Sequence, residues 1–301
     1  MLRAVTLIHA RETGQHRQRL VLVFALTFAA LLVEVGGAMA SGSLALLADA
    51  GHLFTDVVGI GLALGAMWIA GRPATDIRTF GFLRLEIVAA AVNAVLLFGV
   101  AGYVLFEAWR RFGEPPAVAS GLMLGVAVVG LAVNAISLVL LREGQHASLN
   151  LRGAYLEVIG DLAGSVTVIV AALVIALTGW LAADAIASAI IGLLILPRTT
   201  ALLRDALNIL LEAAPKGVGL EEVRRHILEA PGVADVHDLH AWTITSGMNV
   251  VSAHVVLDAT ADPPAVLDEL CRCLSGDFDI EHSTFQLETS DRRRLEEAHH
   301  A

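Results

Sequence analysis

The stretch Ala48-Asp-Ala-Gly-His-Leu-Phe-Thr-Asp56 places a histidine and an aspartate four residues apart inside an otherwise apolar segment. A second stretch, Leu156-Glu-Val-Ile-Gly-Asp161, places two carboxylates at the same spacing. Residues four apart lie on one face of a helix. Ionisable side chains in hydrocarbon are costly and normally face a bundle interior or an aqueous cavity. We therefore expect four residues to hold one divalent cation together: His52, Asp56, Glu157 and Asp161.

One imidazole nitrogen and three carboxylates form a donor set that suits tetrahedral Zn2+ and also Co2+, Cd2+ and related divalent ions. These donors bind metal only when they are deprotonated, so metal and protons compete for the same atoms. That competition is the physical basis of an antiport in which protons displace the ion. His52 is the best candidate proton carrier because its titration range lies nearest neutrality.

The same residues also fit a second interpretation, in which each forms a hydrogen bond between helices. Both interpretations stay open for any single residue, but two equally spaced pairs on separate segments favour a shared site. Small residues around the pairs predict that their two helices approach closely. These are Gly51, Gly59, Gly61, Gly153, Gly160 and Gly164.

Composition indicates a polytopic membrane protein. The chain has 301 residues, is 56% hydrophobic and 17% charged, and has a mean hydropathy of +0.71. A soluble domain of this composition would expose large apolar patches, so that class is excluded. About 20 residues are needed to cross a bilayer. Six apolar runs have that length and predict six transmembrane helices: 20–40, 44–70, 83–110, 118–141, 150–177 and 181–202.

Positive charge predicts the orientation of these helices. Arginines cluster near the N-terminus, in the loop between the second and third helices, before the fifth helix and at the end of the sixth. Arginine and lysine accumulate on the cytoplasmic side of a membrane. Both termini are therefore expected in the cytoplasm.

The charge balance changes near residue 205. Residues 1–205 carry 13 acidic and 13 basic side chains, whereas residues 206–301 carry 17 and 7. We therefore expect a transmembrane transport domain at 1–205, a cytoplasmic domain at 206–290 and a flexible tail at 291–301. Helical periodicity and β-rich runs predict an α+β domain of order αββαβ in the second part.

Three further acidic residues fall within the apolar runs: Glu34, Asp49 and Asp184. They lie near the expected outer ends of their helices. Two interpretations stay open, because these carboxylates are either solvated at the membrane surface or line an exit path.

Five stretches make the chain resemble the cation diffusion facilitator family, proton-coupled exporters of zinc and related ions. They are SLALLADAGHLFTD (43–56), TFGFLRLEIVAA (79–90), GAYLEVIGDLAGS (153–165), VHDLHAW (236–242) and VSAHVV (251–256). The resemblance covers nearly the whole length. It implies a homodimer, a transport site on the second and fifth helices, and a cytoplasmic metal-binding and dimerisation domain with a metallochaperone-like (ferredoxin-like) fold.

His52, Asp56 and Asp161 match the ligands of the family residue by residue. Many zinc-transporting members carry histidine where this chain has Glu157, which is shared with the bacterial cobalt-zinc-cadmium resistance subgroup that the chain most resembles. The extra carboxylate makes the site harder and more anionic, so strict zinc selectivity is not expected. The subgroup implies a location in the bacterial inner membrane.

The resemblance also implies a metal site in the cytoplasmic domain. His237 and His254 lie on adjacent predicted strands, and His282 with Glu288 flanks the last strand. Side chains alternate along a strand, so His237 and His240 cannot face one ion without a bulge, and His240 is expected at the surface. The expected ligands are His237, His254 and Glu288, with His282 as a further candidate.

The leading hypothesis is proton-coupled efflux of a divalent cation, foremost Zn2+, by a protein with no catalytic residues, no catalytic cofactor and no nucleic-acid partner. Metal bound to the cytoplasmic domains would favour one packing of the dimer and couple metal level to transport. Arg84 and Glu212 are expected to form a charge contact at the inner end of the third helix.

Two other classes compete with an exporter. A membrane-embedded metalloenzyme is disfavoured because the sequence lacks His-Glu-x-x-His and four protein ligands would close the site to substrate. A metal sensor that does not transport would need the cytoplasmic histidines but not the four membrane residues.

Overall fold

The computed structural model describes residues 2–70, 72–142, 149–278, 280 and 282–291. Apart from Asp291, the predicted tail at 291–301 lies outside the described residues. The chain forms two compact units, one of residues 1–62 and 92–202 and the other of residues 63–91 and 203–301. Each unit has its own cluster of buried apolar side chains.

Six long helices correspond to the six predicted apolar runs: α1 (Leu2–Ser41), α2 (Leu44–Ala70), α3 (Leu85–Gly113), α4 (Ser120–Arg142), α5 (Leu149–Thr178) and α6 (Ala182–Leu210). Among the described residues, five helices are long and apolar enough to cross a membrane, namely α1 from Val21 onwards and α3 to α6. The remaining helix, α2, has 27 residues and includes side chains outside the described set. The prediction of a polytopic helical membrane protein is confirmed.

Both short connections between helices turn on a glycine. Gly42 follows α1 with φ +73°, and Gly179 follows α5 with φ +70°. Only glycine adopts this left-handed conformation without steric cost, so it ends a helix and reverses the chain within a few residues.

Asp184 of α6 fixes the first turn of α2. Its carboxylate accepts hydrogen bonds from Ser43 Oγ at 2.6 Å, Leu44 N at 2.7 Å and Ala45 N at 3.1 Å. The first N–H groups of a helix lack partners within the helix, and negative charge there is also favoured by the helix dipole. Asp184 is only 2% exposed. The interpretation of this residue as a solvated surface carboxylate is therefore wrong.

The glycines were expected to bring α2 and α5 together, but two of them instead allow α2 to approach α3. A Cβ atom at Gly51 or Gly59 of α2 would lie 2.8 or 2.6 Å from a side chain of α3. A Cβ atom at Gly164 of α5 would lie 2.5 Å from Asp49 Oδ1 of α2. Gly164 thus supports the expected approach of α2 and α5, whereas Gly51 and Gly59 serve the contact with α3.

The second unit contains the predicted α+β arrangement, and this fold is confirmed. Its elements are α7 (Leu220–Glu229), β1 (Val233–Thr245), β2 (Met248–Leu257), α8 (Pro263–Phe278) and β3 (His282–Glu288). β2 lies in the middle of the sheet, antiparallel to β1 and parallel to β3. The helices cover one face, and the core lies between them and the sheet. It contains Val223, Ile227, Leu270 and Leu274 from the helices and Val236 and Val255 from the strands.

A bulge interrupts β1 beside the predicted metal ligands. His237 pairs with His254, and His240 pairs with Ser252. Three steps along β1 therefore match two steps along β2, which is one extra residue. Asp238 takes up the irregularity with φ +50°.

The cap on α2 gives a test of stability. Asp184→Ala removes one acceptor from three buried donors, so we expect it to lower the free energy of unfolding by about 2 kcal/mol. The measurement is the apparent melting temperature of the purified protein in detergent. Ser188→Ala is the matched control one turn further along α6, because the buried Ser188 hydroxyl donates only within its own helix, to Asp184 O. Equal losses in the two variants would contradict the capping role.

Candidate metal centres

Three of the four predicted membrane ligands meet in the first unit. His52 Nε2 lies 3.4 Å from Asp161 Oδ1 and 3.9 Å from Asp56 Oδ2. One ligand atom from each residue lies within 4.8 Å of the other two, close to the upper limit of about 4.4 Å between two ligands of one ion with bonds of about 2.0–2.2 Å. All three side chains are at most 12% exposed. We call these residues the membrane trio.

Two buried polar atoms of the membrane trio have no hydrogen-bond partner within the described part of the chain. They are His52 Nδ1 and Asp161 Oδ1. A buried polar atom without a partner costs about 1–3 kcal/mol, and more when it is charged. A cation or a proton held between His52 Nε2 and Asp161 Oδ1 would remove that cost at the carboxylate oxygen.

Glu157 is the predicted ligand that the structure does not bring to the membrane trio. Its carboxylate forms an ion pair with the Arg198 guanidinium of α6, and its side chain is 34% exposed. The expected four-residue site is therefore a trio beside a carboxylate that pairs with an arginine. Glu157 precedes Asp161 by about one turn, so the two share one face of α5.

Arg198 is the site residue that the sequence analysis missed. It lines a cavity of about 80 Å³ together with His52, Asp49, Gly160 and Gly164. The sequence analysis counted Arg198 only as part of the positive charge at the end of the sixth run. Its position inside the predicted span 181–202 was the available signal, because a charge within a span normally faces the bundle interior.

Glu34 and Asp49 are buried, with 1% and 4% exposure. The interpretation of these two carboxylates as solvated is therefore wrong. The Ser165 hydroxyl donates to Asp49 Oδ2 at 3.4 Å, and Asn134 Nδ2 donates to Ser165 Oγ at 3.3 Å. Neither oxygen of Glu34 has a hydrogen-bond partner among the described residues.

In the second unit, Glu288 bridges two histidines. Its Oε2 lies 3.2 Å from His237 Nε2, and its Oε1 lies 3.1 Å from His254 Nδ1. The two imidazole rings meet edge to face, with centroids 5.1 Å apart. Ligand atoms from all three residues lie within 4.8 Å of one another. The structure thus brings the three expected cytoplasmic ligands together, and we call them the cytoplasmic trio.

His282 does not join the cytoplasmic trio. It begins β3 opposite Val250, whereas Glu288 ends the strand opposite Val256. Six residues along a strand span about 20 Å, too far for one ion. The His282 ring instead contacts Phe80 edge to face, with centroids 5.7 Å apart.

His240 lies at the surface, as expected. Its side chain is 64% exposed, and His240 Nε2 lies 3.0 Å from Asp238 Oδ1. Asp238 Oδ2 also lies 3.8 Å from His254 Nε2. The bulge in β1 therefore turns a carboxylate towards the cytoplasmic trio, and the sequence analysis did not identify this residue.

The start of α3 carries two polar contacts within the second unit. Arg84 Nη2 lies 2.7 Å from Glu212 Oε1, which is the expected charge contact. The Glu86 carboxylate accepts hydrogen bonds from the hydroxyls of Thr245 and Ser246.

Both cysteines are free thiols and lie on α8. Burial, followed by the negative charges of Glu269 and Asp277, raises the pKa of the Cys273 thiol above its usual value. A thiol with a raised pKa is a poor metal ligand at neutral pH because the thiolate is the binding form.

Comparison with known proteins identifies both parts of the chain. Residues 20–211 match the family model of the cation efflux transmembrane domain, and residues 215–290 match that of the cytoplasmic domain of cation efflux proteins. The first match alone covers more than half of the chain.

Relatives match over nearly their whole length. The metal cation efflux system protein CzcD of Cupriavidus metallidurans is 48% identical over 95% of this chain and 91% of its own. The zinc transporter ZitB of Escherichia coli is 43% identical over 93% and 90%. The cadmium, cobalt and zinc/H(+)-K(+) antiporter of Bacillus subtilis is 36% identical over 93% and 92%.

A solved structure also matches. It is the metal-bound C-terminal domain of the CzcD transporter of Cupriavidus metallidurans, which is 47% identical and covers 24% of this chain and 99% of its own, with a TM-score of 0.23.

The cytoplasmic trio gives a test by metal counting. His254→Ala removes one of three donors, so we expect the purified full-length protein to bind one Zn2+ fewer per protomer after equilibrium dialysis. His240→Ala, a surface histidine on the same sheet, is the matched control and should leave the count unchanged. An unchanged count in His254→Ala would rule out this site.

Proposed function

Because this chain belongs to the cation diffusion facilitator family, we propose that it exchanges divalent metal cations for protons at the membrane trio. The family and the named relatives make the protein a multi-pass membrane transporter for efflux of divalent metal cations and not an enzyme. The coupling ion, the residues of the site and the direction across a particular membrane are the parts that we propose.

One observation carries the proposal. The membrane trio places an imidazole and two carboxylates within 4.8 Å of one another inside a membrane-spanning bundle. Deprotonated, these groups provide up to two negative charges and one nitrogen donor, a set that binds a divalent cation. Protonated, the carboxyl groups are neutral and the imidazole nitrogen has no free lone pair, so the set no longer binds the cation. Protons arriving from outside therefore release the ion, and an ion arriving from the cytoplasm releases protons.

We assign Glu157 the role of fourth ligand, with Arg198 as its alternative partner. The Arg198 guanidinium balances the Glu157 carboxylate in the ion pair. A rotamer change would move the carboxylate along the shared face of α5 towards Asp161. Glu157 would then exchange a guanidinium for the cation as its partner.

Zn2+ is the foremost proposed cargo, with Co2+ and Cd2+ as further ions. One relative is named a zinc transporter and another a cadmium, cobalt and zinc antiporter. Three carboxylates around a single imidazole are less selective for zinc than a site with two imidazoles.

The cytoplasmic trio is proposed as a regulatory site within a homodimer. The cytoplasmic-domain family that residues 215–290 match is named as a dimer domain. A cation held by Glu288 and two histidines would neutralise part of an acidic domain and favour one packing of two copies. We place the protein in the bacterial inner membrane with both termini in the cytoplasm, in line with the arginine distribution and its bacterial relatives.

A vesicle assay tests the antiport. With an imposed pH gradient, wild-type protein should accumulate Zn2+, and Asp161→Ala should lower the initial rate by about tenfold or more because a ligand is lost. Asp76→Ala, an exposed loop aspartate, is the control and should transport like wild type. Uptake that ignores both the gradient and Asp161→Ala would instead favour the sensor class or another mechanism.

A substitution at Glu157 tests cargo preference. Glu157→His replaces a hard carboxylate with an imidazole, so we expect the ratio of Zn2+ to Co2+ transport rates to rise. Glu157→Gln is the control, since it removes the charge without adding a nitrogen ligand. The measurement is the initial rate of Zn2+ and of Co2+ transport in parallel vesicles. If Glu157→His and Glu157→Gln changed the ratio of these rates equally, Glu157 would not be a metal ligand.

A further inference from the structure

A second pair of buried carboxylates lies in the first unit. Glu34 on α1 is 1% exposed and Asp49 on α2 is 4% exposed. Both Glu34 oxygens lack a hydrogen-bond partner within the described part of the chain. A buried carboxylate without donors is unstable unless it holds a proton or a cation.

The surroundings of this pair supply further oxygen atoms. Ser165 of α5 donates to Asp49 Oδ2, and Asn134 of α4 donates to Ser165. A Cβ atom at Gly130 of α4 would contact both Glu34 Oε1 and, at 3.7 Å, Ser165 Oγ, so the Glu34 carboxylate lies near the hydroxyl that donates to Asp49. Polar side chains from four helices therefore lie close together, and their candidate metal ligands are oxygens.

Two glycines leave room for the carboxylates. A Cβ atom at Gly130 of α4 would lie 2.5 Å from Glu34 Oε1, and one at Gly164 of α5 would lie 2.5 Å from Asp49 Oδ1. Any larger residue at either position would displace a carboxylate. The backbone thus accommodates both acidic side chains in the interior.

The carboxylate pair and the membrane trio share a helix and a cavity. Asp49 precedes His52 by three residues, so both lie on one side of α2. Asp49 and His52 line the same cavity of about 80 Å³. Asp49 also lies nearer the α1–α2 connection, which the proposed topology places outside the cytoplasm.

We propose that Glu34 and Asp49 form a second, oxygen-only site that receives the divalent cation as it leaves the membrane trio. This inference rests on the proposed function. Two carboxylates balance the charge of a divalent ion, and the lack of a nitrogen donor makes the site weaker for zinc than one containing His52. A weaker neighbouring site favours onward movement, because conduction needs binding that is strong enough for entry and weak enough for exit.

A thiol reporter tests whether the ion reaches Glu34. Glu34→Cys is made in full-length protein carrying Cys271→Ser and Cys273→Ser, and purified protein is titrated with Cd2+. We expect the ultraviolet charge-transfer band of a cadmium thiolate. Ser188→Cys is the matched control, being a buried position on α6 that should give no band. No band in Glu34→Cys overturns the proposal.

A second substitution shows whether the reporter senses a separate site. Adding Asp161→Ala to Glu34→Cys weakens the membrane trio, and the band should persist. Loss of the band would mean that the cysteine only extends the membrane trio, which also overturns the proposal.

Transport separates this inference from the proposed function. Glu34→Gln and Asp49→Asn should lower Zn2+ transport driven by a pH gradient by about tenfold, and Glu34→Asp should restore part of it. Zn2+ binding at the membrane trio should stay unchanged. Wild-type rates in both variants overturn the second site alone, whereas a wild-type protein without gradient-driven transport overturns the proposed function.

Discussion

A carboxylate inside a lipid-spanning bundle requires a positive charge, hydrogen-bond donors or a proton, because hydrocarbon provides none of these. The first unit meets this requirement in three ways. Asp184 accepts from the first turn of α2, and Glu157 pairs with Arg198. Asp56 and Asp161 share the histidine of the membrane trio. The first solution is structural, whereas the second and third involve the proposed ligands of the cation.

The helix α2 takes part in the first and third of these arrangements. Its first turn is fixed by a carboxylate from α6, and its later turns carry Asp49, His52 and Asp56 towards the interior. Glycines on α2 bring it against α3, and Gly164 of α5 makes room for Asp49. A movement of α2 would therefore change the geometry of the proposed ligands and of the proposed exit site together, which is the coupling that alternating access needs.

The cytoplasmic domain also contains a buried carboxylate that is held by neighbouring polar groups. Glu288 is buried to 1% exposure and is held between His237 and His254. Both trios combine imidazole nitrogens with carboxylate oxygens, although the cytoplasmic trio lies on a sheet and the membrane trio on helices. A bulge in β1 turns Asp238 towards these ligands, so an irregular strand rather than a regular one shapes this site.

The sequence alone predicts six long apolar helices, the αββαβ order and two groups of candidate ligands, because these follow from apolar length, periodicity and spacing along single elements. It did not determine that Glu157 pairs with Arg198, that Asp184 caps another helix, or that His282 lies far from Glu288. Those outcomes depend on which faces meet when separate elements pack. Spacing along the sequence fixes neighbours only within one helix or strand, so these contacts are seen only in the packed fold.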